Sequence, residues 1–268
     1  MFLVKSVKRK YRDAAFQRGA IRIGTINYYR GIEDATRQDG EEGLGHIVWN
    51  GKLLSAEHHN RIFTPVDKVT LNDGWSIKNN GVPIHGSYPK FNAYTFCYSE
   101  VKDTREIPLT SGGKATHYYF IKDLPKFIQI VSKALMSVAS KMIETYAEPS
   151  EAARLIRNLK VLDATYRINY SDQPKYRVVN ESNVERFDPM LMHPQDFFQK
   201  STIYRYEREV RTIWLFFVHD VRGKRQLLSI PHPDEKYVDL ELGRLPISKK
   251  RCKNRHKIKT SPLKPINA

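Results

Sequence analysis

The clearest pattern of hydrophobic positions in the chain covers residues 124–146. Apolar side chains recur there at three- and four-residue steps: Phe127, Ile128, Val131, Leu135, Val138, Met142, Ile143 and Tyr146. This spacing places them on one side of an α-helix and predicts a long amphipathic helix. Ser150 precedes Glu151 and the run AARLIRNL, which predicts a second helix with Ser150 as its N-cap.

Other segments are rich in Tyr, Phe, Ile and Val, the residues that favour β-strands. They cover residues 20–26, 93–98, 116–121, 161–170, 203–218 and 226–230. Residues 39–92 are rich in Gly, Asn, His and Pro and predict hairpins and loops over the sheet. Because the strands do not alternate regularly with helices, we expect a mixed α+β domain with a mainly antiparallel sheet.

The composition supports a globular chain with a sizeable core. Of 268 residues, 40% are hydrophobic and 28% are charged. This composition excludes a largely disordered protein. No repeat and no linker-like stretch divides the chain. We therefore expect one domain over residues 1–248, followed by a tail over residues 249–268.

The net charge of +16 indicates a polyanionic partner, and half of it lies in the tail. Residues 249–268 contain eight basic side chains and no acidic one. Basic arms of this kind bind phosphate by releasing counterions. The candidate nucleic-acid contacts are Lys249, Lys250, Arg251, Lys253 and Arg255. The alternative is a solvated tail that only improves solubility.

Cysteine and hydropathy patterns favour the cytoplasm. Cys97 and Cys252 cannot form a disulfide framework or a four-ligand zinc site. The longest wholly apolar run, residues 213–218, is far too short to span a membrane, so we expect no membrane partner. His58 and His59 lack the helical spacing of zinc ligands, so we expect no metal.

The segment STIYRYEREVRTIW, residues 201–214, carries more charge than a structural strand needs. A two-residue repeat gives this strand two different faces. One face is Arg205, Glu207, Glu209 and Arg211, and the other is Tyr204, Tyr206, Val210 and Trp214. The first face predicts a site and the second a core. The alternative is a surface strand with salt bridges.

Within this segment, Glu207-Arg208-Glu209-Val210 is similar to the E-x-E-V strand of NAD-dependent mono-ADP-ribosyltransferases. The resemblance implies that Glu209 is the catalytic residue, which binds a ribose hydroxyl and stabilises the positive charge that develops on the sugar. It also implies that Glu207 orients or deprotonates the acceptor.

The stretch FQRGAIRIGTINYYRGIED, residues 16–34, resembles the helix-then-strand entry of bacterial ADP-ribosyltransferase-like defence proteins. In an unbroken strand, Arg22, Gly24, Tyr28 and Arg30 would share one face. The resemblance makes Tyr28 and Arg30, with Arg22, candidates for binding NAD. The alternative for Tyr28 is a ring packed in the core whose hydroxyl reaches solvent.

The stretch FNAYTFCYSE, residues 91–100, resembles the central strand of the same superfamily. There, aromatic and hydroxyl residues form the wall that contacts nicotinamide. The matching residue types are Tyr94, Phe96, Tyr98 and Ser99, although the family's S-T-S triplet is absent from this sequence.

The three stretches occur in the order that the superfamily has, and together they imply a single domain with a split β-sheet flanked by helices. In size and charge, the chain further resembles the toxins of toxin–antitoxin–chaperone systems, which ADP-ribosylate mRNA in anti-phage defence. The implied partners are NAD as substrate, RNA, an antitoxin protein and a chaperone. The alternatives are a non-catalytic nucleic-acid-binding protein and a metal-dependent nuclease.

Overall fold

The computed structural model describes residues 1–31, 44–62, 72, 74, 76–78, 80, 82–89, 92–107, 116–172, 176–186, 197–219, 223, 225–232 and 234–250. Their strands are β1 (Phe2–Val7), β2 (Ala20–Thr25), β3 (Leu44–Trp49), β4 (Leu53–Ser55), β5 (Ser76–Lys78), β6 (Ile84–Pro89), β7 (Tyr94–Val101), β8 (His117–Ile121), β9 (Lys160–Arg167), β10 (Asn169–Tyr170), β11 (Tyr176–Val179), β12 (Gln199–Lys200), β13 (Glu209–His219), β14 (Arg225–Leu228), β15 (Tyr237–Glu241) and β16 (Ile247–Ser248). The α-helices are α1 (Arg9–Arg18), α2 (Ile26–Gly31), α3 (Ala56–Ile62), α4 (Leu124–Tyr146) and α5 (Pro149–Asn158). Short 3₁₀ helices cover Thr104–Glu106, Val184–Arg186 and Thr202–Glu207.

In the described part of the chain, the largest sheet has nine strands, and all of its pairings are antiparallel. Its main path is β14-β13-β7-β1-β8-β16, with β9 also paired to β13, and with β2 paired to both β7 and β15. The expected mixed α+β class with a large antiparallel sheet is confirmed.

Two different strands pair with the same edge of the central strand β7. Its other edge pairs with β13. On the shared edge, β1 pairs with residues 99–101 and β2 with residues 94–95. Between these two pairings, the amine of Lys5 donates a hydrogen bond to the carbonyl of Cys97 (2.6 Å). The sheet therefore divides into two branches along β7.

The long helix α4 covers one face of this sheet, and its predicted bounds are confirmed. It begins after Asp123, whose carboxylate accepts a hydrogen bond from the backbone N–H of Lys126. The buried stripe of the helix includes Phe127, Val131 and Leu135 and packs on the core beneath it. The last residue of the predicted stripe, Tyr146, is 76% exposed because it lies beyond the packed part of the helix.

The second predicted helix exists, but its cap is misplaced. Helix α5 begins at Pro149, after Glu148, so Ser150 lies inside the first turn. Proline suits the first helical position because its fixed φ is helical and its missing N–H would have no partner there. Within the described ranges, no helix is both long enough and apolar enough to cross a membrane.

Candidate active site

Glu209 is the first residue of β13, and the chain turns sharply just before it. Thr202–Glu207 form a 3₁₀ helix, and Arg208 follows in the left-handed region with φ 43°. The backbone N–H of Glu209 donates to the hydroxyl of Tyr170 (2.7 Å). The prediction of one strand over residues 203–218 is therefore wrong for the segment before Glu209.

Asp172 explains why a strand does not form there. Its carboxylate accepts hydrogen bonds from the hydroxyl of Ser201 (2.7 Å) and the backbone N–H of Thr202 (2.7 Å). Side-chain hydrogen bonds of this kind satisfy backbone groups at the start of a helical turn, which would otherwise need another partner. Arg205 and Glu207 consequently lie on the 3₁₀ helix and do not share a strand face with Glu209.

From Glu209 onwards the predicted alternation holds. Val210 and Trp214 lie in the core beneath α4, and the indole of Trp214 donates to the hydroxyl of Ser132 (2.9 Å). Glu209 and Arg211 point to the opposite face. That face is also covered, because Arg211 is fully buried and Glu209 is only 5% exposed.

Four charged side chains meet on this covered face: Lys200, Glu207, Glu209 and Arg211, here called the ion cluster. One carboxylate oxygen of Glu209 lies 2.8 Å from Nη2 and 2.9 Å from Nε of Arg211. Its other oxygen lies 2.7 Å from the amine of Lys200. The same amine donates to Glu207 (3.0 Å). Two carboxylates therefore share one lysine.

The environment displaces the pKa values of the two carboxyls in opposite directions. Burial alone would raise the pKa of Glu209, but the charges of Arg211 and Lys200 outweigh it and hold this pKa well below its usual value. Burial raises the pKa of Glu207, the charge of Glu209 adds to the rise, and Lys200 offsets part of it. Glu209 thus stays ionised, whereas Glu207 takes up a proton more readily.

Residues distant in sequence support the cluster. Strand β12 pairs in parallel with β10, which places Lys200 beside Tyr170. The guanidinium of Arg211 also donates to the carbonyl of Phe197 (2.7 Å). Sequence analysis missed Lys200 and Tyr170, because neither has a motif and only the pairing of β10 with β12 brings them to Glu209.

The predicted nicotinamide-wall residues are divided between the two faces of β7. Ser99 pairs directly with Glu209 across the strands and so lies on the same face. Tyr94 and Phe96 lie in the core beneath α4, where Phe96 packs against Phe127 and the Tyr94 hydroxyl donates to Glu235 (2.7 Å). The structure therefore brings Ser99 to the ion cluster but places Tyr94 and Phe96 on the opposite face, because side chains alternate along a strand.

The predicted NAD contacts near residue 28 do not share a strand face. Strand β2 ends at Thr25, whose hydroxyl accepts the backbone N–H of Tyr28 as α2 begins. Tyr28 therefore lies on a helix, as does Arg30, whose side chain is outside the described residues. Arg22 remains on β2, where its guanidinium makes two 2.8 Å hydrogen bonds to Asp239.

Gly24 allows a close approach, but the group that approaches is a ring of this chain. A Cβ atom at Gly24 would lie 2.6 Å from the ring of Tyr29. We expect Gly24→Ala to lower the free energy of unfolding by about 1–3 kcal/mol through overpacking. Urea unfolding measures this loss. In a Tyr29→Ala background the same substitution should cost much less, and an equal cost in both backgrounds would contradict the contact.

Part of the basic tail is described. The amine of Lys249 lies over the ring of Phe16 (5.3 Å from the centroid), and the backbone N–H of Lys250 donates to the hydroxyl of Ser248 (3.0 Å). Arg251, Lys253 and Arg255 lie outside the described residues.

Deleting residues 249–268 is expected to weaken binding to a single-stranded RNA oligonucleotide. Each lost phosphate contact should flatten the slope of log affinity against log salt by about 0.7. Fluorescence polarisation over a salt series measures both quantities. A tail of equal length with its basic residues changed to serine is the control for length. If the deletion changes neither affinity nor slope, the tail serves solubility.

Other candidate chemistry in the described residues is sparse. A cavity of about 440 Å³ lies beside α4 and is lined in part by Lys141, Met142, His232 and Glu235. This cavity is on the α4 side of the sheet, away from the ion cluster. No group of three His, Cys, Asp or Glu residues in the described ranges is arranged to hold a metal ion.

The sequence matches no family model and no curated protein, and no solved structure matches the chain.

Proposed function

We propose that this protein is an NAD-dependent mono-ADP-ribosyltransferase that modifies RNA. The observation that carries the proposal is the pair Glu207 and Glu209, which share Lys200 and have pKa values displaced in opposite directions. Two carboxyls with pKa values pushed apart are suited to different roles, one as a fixed charge and one as a proton carrier.

In this proposal, the ion cluster receives the nicotinamide-ribose end of NAD. Glu209 supplies an ionised carboxylate, and Ser99 lies across from it on the same face. Tyr94 and Phe96 do not fit, because their rings are buried in the core on the other face. NAD would supply a glycosidic bond that is already activated by the positive charge on its nicotinamide.

In the proposed reaction, the bond between the ribose C1 and the nicotinamide nitrogen breaks, and nicotinamide leaves with the bonding electrons. Glu209 stabilises the positive charge that develops on the ribose. Arg211 holds the Glu209 carboxylate in one orientation through its two nitrogen contacts. An acceptor atom then bonds to C1 and gives its proton to Glu207, whose raised pKa makes it the better proton acceptor.

The choice of RNA as acceptor rests on charge. The net charge of +16 and the basic tail attract a polyanion. By its resemblance to toxins of toxin–antitoxin–chaperone systems, we further propose that the protein is a cytoplasmic toxin of bacterial anti-phage defence, that it modifies mRNA, and that an antitoxin protein and a chaperone control it.

Labelled NAD provides the direct test. The purified chain is incubated with NAD labelled in its adenylate phosphate and with either total RNA or total protein, and nicotinamide release is measured in parallel. We expect label in the RNA fraction together with released nicotinamide. Label in protein alone would show that the acceptor is protein and not RNA. The absence of both label and nicotinamide would overturn the proposal of a transferase.

One observation favours a second candidate, a non-catalytic nucleic-acid-binding protein. Both carboxylate oxygens of Glu209 are engaged by cations, and the side chain is only 5% exposed. In that case the ion cluster is purely structural. RNA binding without NAD consumption would support this candidate.

A further inference from the structure

Four planar side chains form a row at the branch of the sheet that contains β2 and β15. The guanidinium carbon of Arg22 lies 5.7 Å from the ring centroid of Tyr11 and 3.6 Å from that of Tyr237. The ring of Tyr237 lies 5.7 Å from that of Tyr28, centroid to centroid, in an edge-to-face arrangement with 72° between the ring planes. We call Tyr11, Arg22, Tyr237 and Tyr28 the stacking row.

The pairing of β2 with β15 fixes this row in place. Arg22 pairs with Asp239 and Gly24 with Tyr237, so the side chains of Arg22, Asp239 and Tyr237 emerge on one face. Asp239 binds the Arg22 guanidinium at two points, 2.8 Å each. A bidentate pair of this kind fixes the plane of the guanidinium as well as its position. The row is therefore ordered before any ligand arrives.

The row is accessible and has cations beside it. Tyr11 and Tyr237 are each 38% exposed, and the side chain of Arg22 is 35% exposed. Because Asp239 neutralises Arg22, attraction for an anion must come from neighbouring cations. The amine of Lys10 lies 5.0 Å from the Tyr11 ring, and Lys8 is exposed at the same end of α1, whereas Arg9 is paired with Asp13 (3.7 Å).

We propose that the stacking row binds the bases of a single-stranded nucleic acid while the cations of α1 bind its phosphates. Aromatic rings and arginine planes stack on bases of any sequence, and a flanking positive surface follows the backbone. The row offers the planes and α1 offers the charges. A double helix would not present its bases to such a surface, because they are stacked on one another.

Two members of the row, Arg22 and Tyr237, lie on the face of the sheet that carries Glu209. Gly24 pairs with Thr95, Thr95 pairs with Ile213, and Glu209 lies four residues before Ile213 on β13. An even separation keeps Glu209 on the same face as Ile213, about 13 Å from it along β13 at 3.3 Å per residue. If the proposed function is correct, on which this step rests, the row leads the acceptor strand towards the ion cluster.

Binding of fluorescein-labelled U12 and dT12 in the absence of NAD tests the row. Tyr11→Ala and Tyr237→Ala should each weaken binding by about 5- to 150-fold, as expected for the loss of one stacked base. Tyr11→Phe and Tyr237→Phe should retain affinity, because the ring is kept. Tyr146→Ala, at a tyrosine that is 76% exposed on α4, is the matched control and should bind normally.

Salt dependence separates stacking from charge. The tyrosine variants should keep the wild-type salt slope, whereas Lys10→Ala should flatten it by about 0.7. Oligonucleotides containing 4-thiouridine should crosslink to peptides with Tyr11 or Tyr237 in the unmodified protein, which tests the row without any substitution. Comparison of U12 with dT12 shows whether RNA or DNA is preferred.

The proposal is overturned if the wild-type protein binds neither oligonucleotide, if both alanine variants bind like wild type, or if crosslinks fall elsewhere. These outcomes are independent of the transferase. Loss of binding in the tyrosine variants without any NAD cleavage by wild type would keep the row and reject the proposed function. If both alanine variants lose no NAD-dependent labelling of RNA, the proposed function would be kept and the row would be rejected.

Discussion

Replacing Glu209 with glutamine is expected to reduce ADP-ribose transfer by about a hundredfold or more. Glutamine keeps the size and most of the hydrogen bonding of the side chain, but it removes the negative charge that would stabilise the sugar cation. Removing one such electrostatic contact from a preorganised site typically costs on the order of 100-fold or more in rate. The measurements are incorporation of labelled ADP-ribose and release of nicotinamide.

The fold of this variant must be checked, because Glu209 also binds Arg211 and Lys200. Thermal melting supplies that check. Glu100→Gln is the matched control: it removes a carboxylate that is bound to Arg167 (2.6 Å), one residue from Ser99 on β7. We expect it to leave transfer near the wild-type rate. A folded Glu209→Gln protein that transfers at the wild-type rate would refute the transferase.

Glu207→Gln should have a different effect. If Glu207 accepts the proton of the acceptor, its loss slows transfer to RNA more than it slows cleavage of NAD. The ratio of nicotinamide released to ADP-ribose incorporated should therefore rise. An unchanged ratio would indicate that Glu207 does not act on the acceptor.

Replacing Arg211 with methionine should cause a large loss of stability. Arg211 is fully buried, binds Glu209 at two nitrogens and donates to the carbonyl of Phe197. Removing one partner of a buried ion pair leaves an uncompensated charge and typically costs about 3–5 kcal/mol. Urea unfolding at pH 7 measures the change. Arg154→Met, which breaks an exposed pair with Glu151, should cost only about 0.3–0.5 kcal/mol.

The cost of Arg211→Met should depend on pH. In the wild type the folded-state pKa of Glu209 lies below its ordinary value of 4.5, so the ion pair contributes fully above that pH. As the pH falls below 4.5, the unfolded state takes up the proton first and the contribution declines. The difference in unfolding free energy between wild type and variant should therefore shrink in acid. A difference that stays constant or grows from pH 7 to pH 3 would contradict the assigned role.

Local patterns were sufficient to predict part of this fold. Helix α4 follows from its own apolar spacing, all within a short stretch of sequence. The alternation of Glu209 and Arg211 with Val210 and Trp214 follows from strand geometry alone. Neither prediction needed any knowledge of the parts of the chain that pack against these two elements.

The remaining features depend on contacts between distant parts of the chain. The 3₁₀ helix before Glu209 exists because Asp172 caps it, and Asp172 lies 30 residues earlier than Thr202. Lys200 reaches Glu209 only through the pairing of β12 with β10. Likewise, the end of β2 at Thr25 separates Tyr28 from Arg22, which no two-residue repeat reveals.

The position of β13 in the centre of the sheet also determines when the sheet can be completed during synthesis of the chain. Strand β7 ends at Val101, but its long partner β13 ends only at His219. At about 5–20 residues per second, a ribosome needs about 6–24 s to make the intervening segment. During that interval the nascent chain presents an open strand edge that invites pairing with other chains. The ion cluster can form only after β13 has emerged, so the growing polypeptide is vulnerable to aggregation before this cluster is assembled.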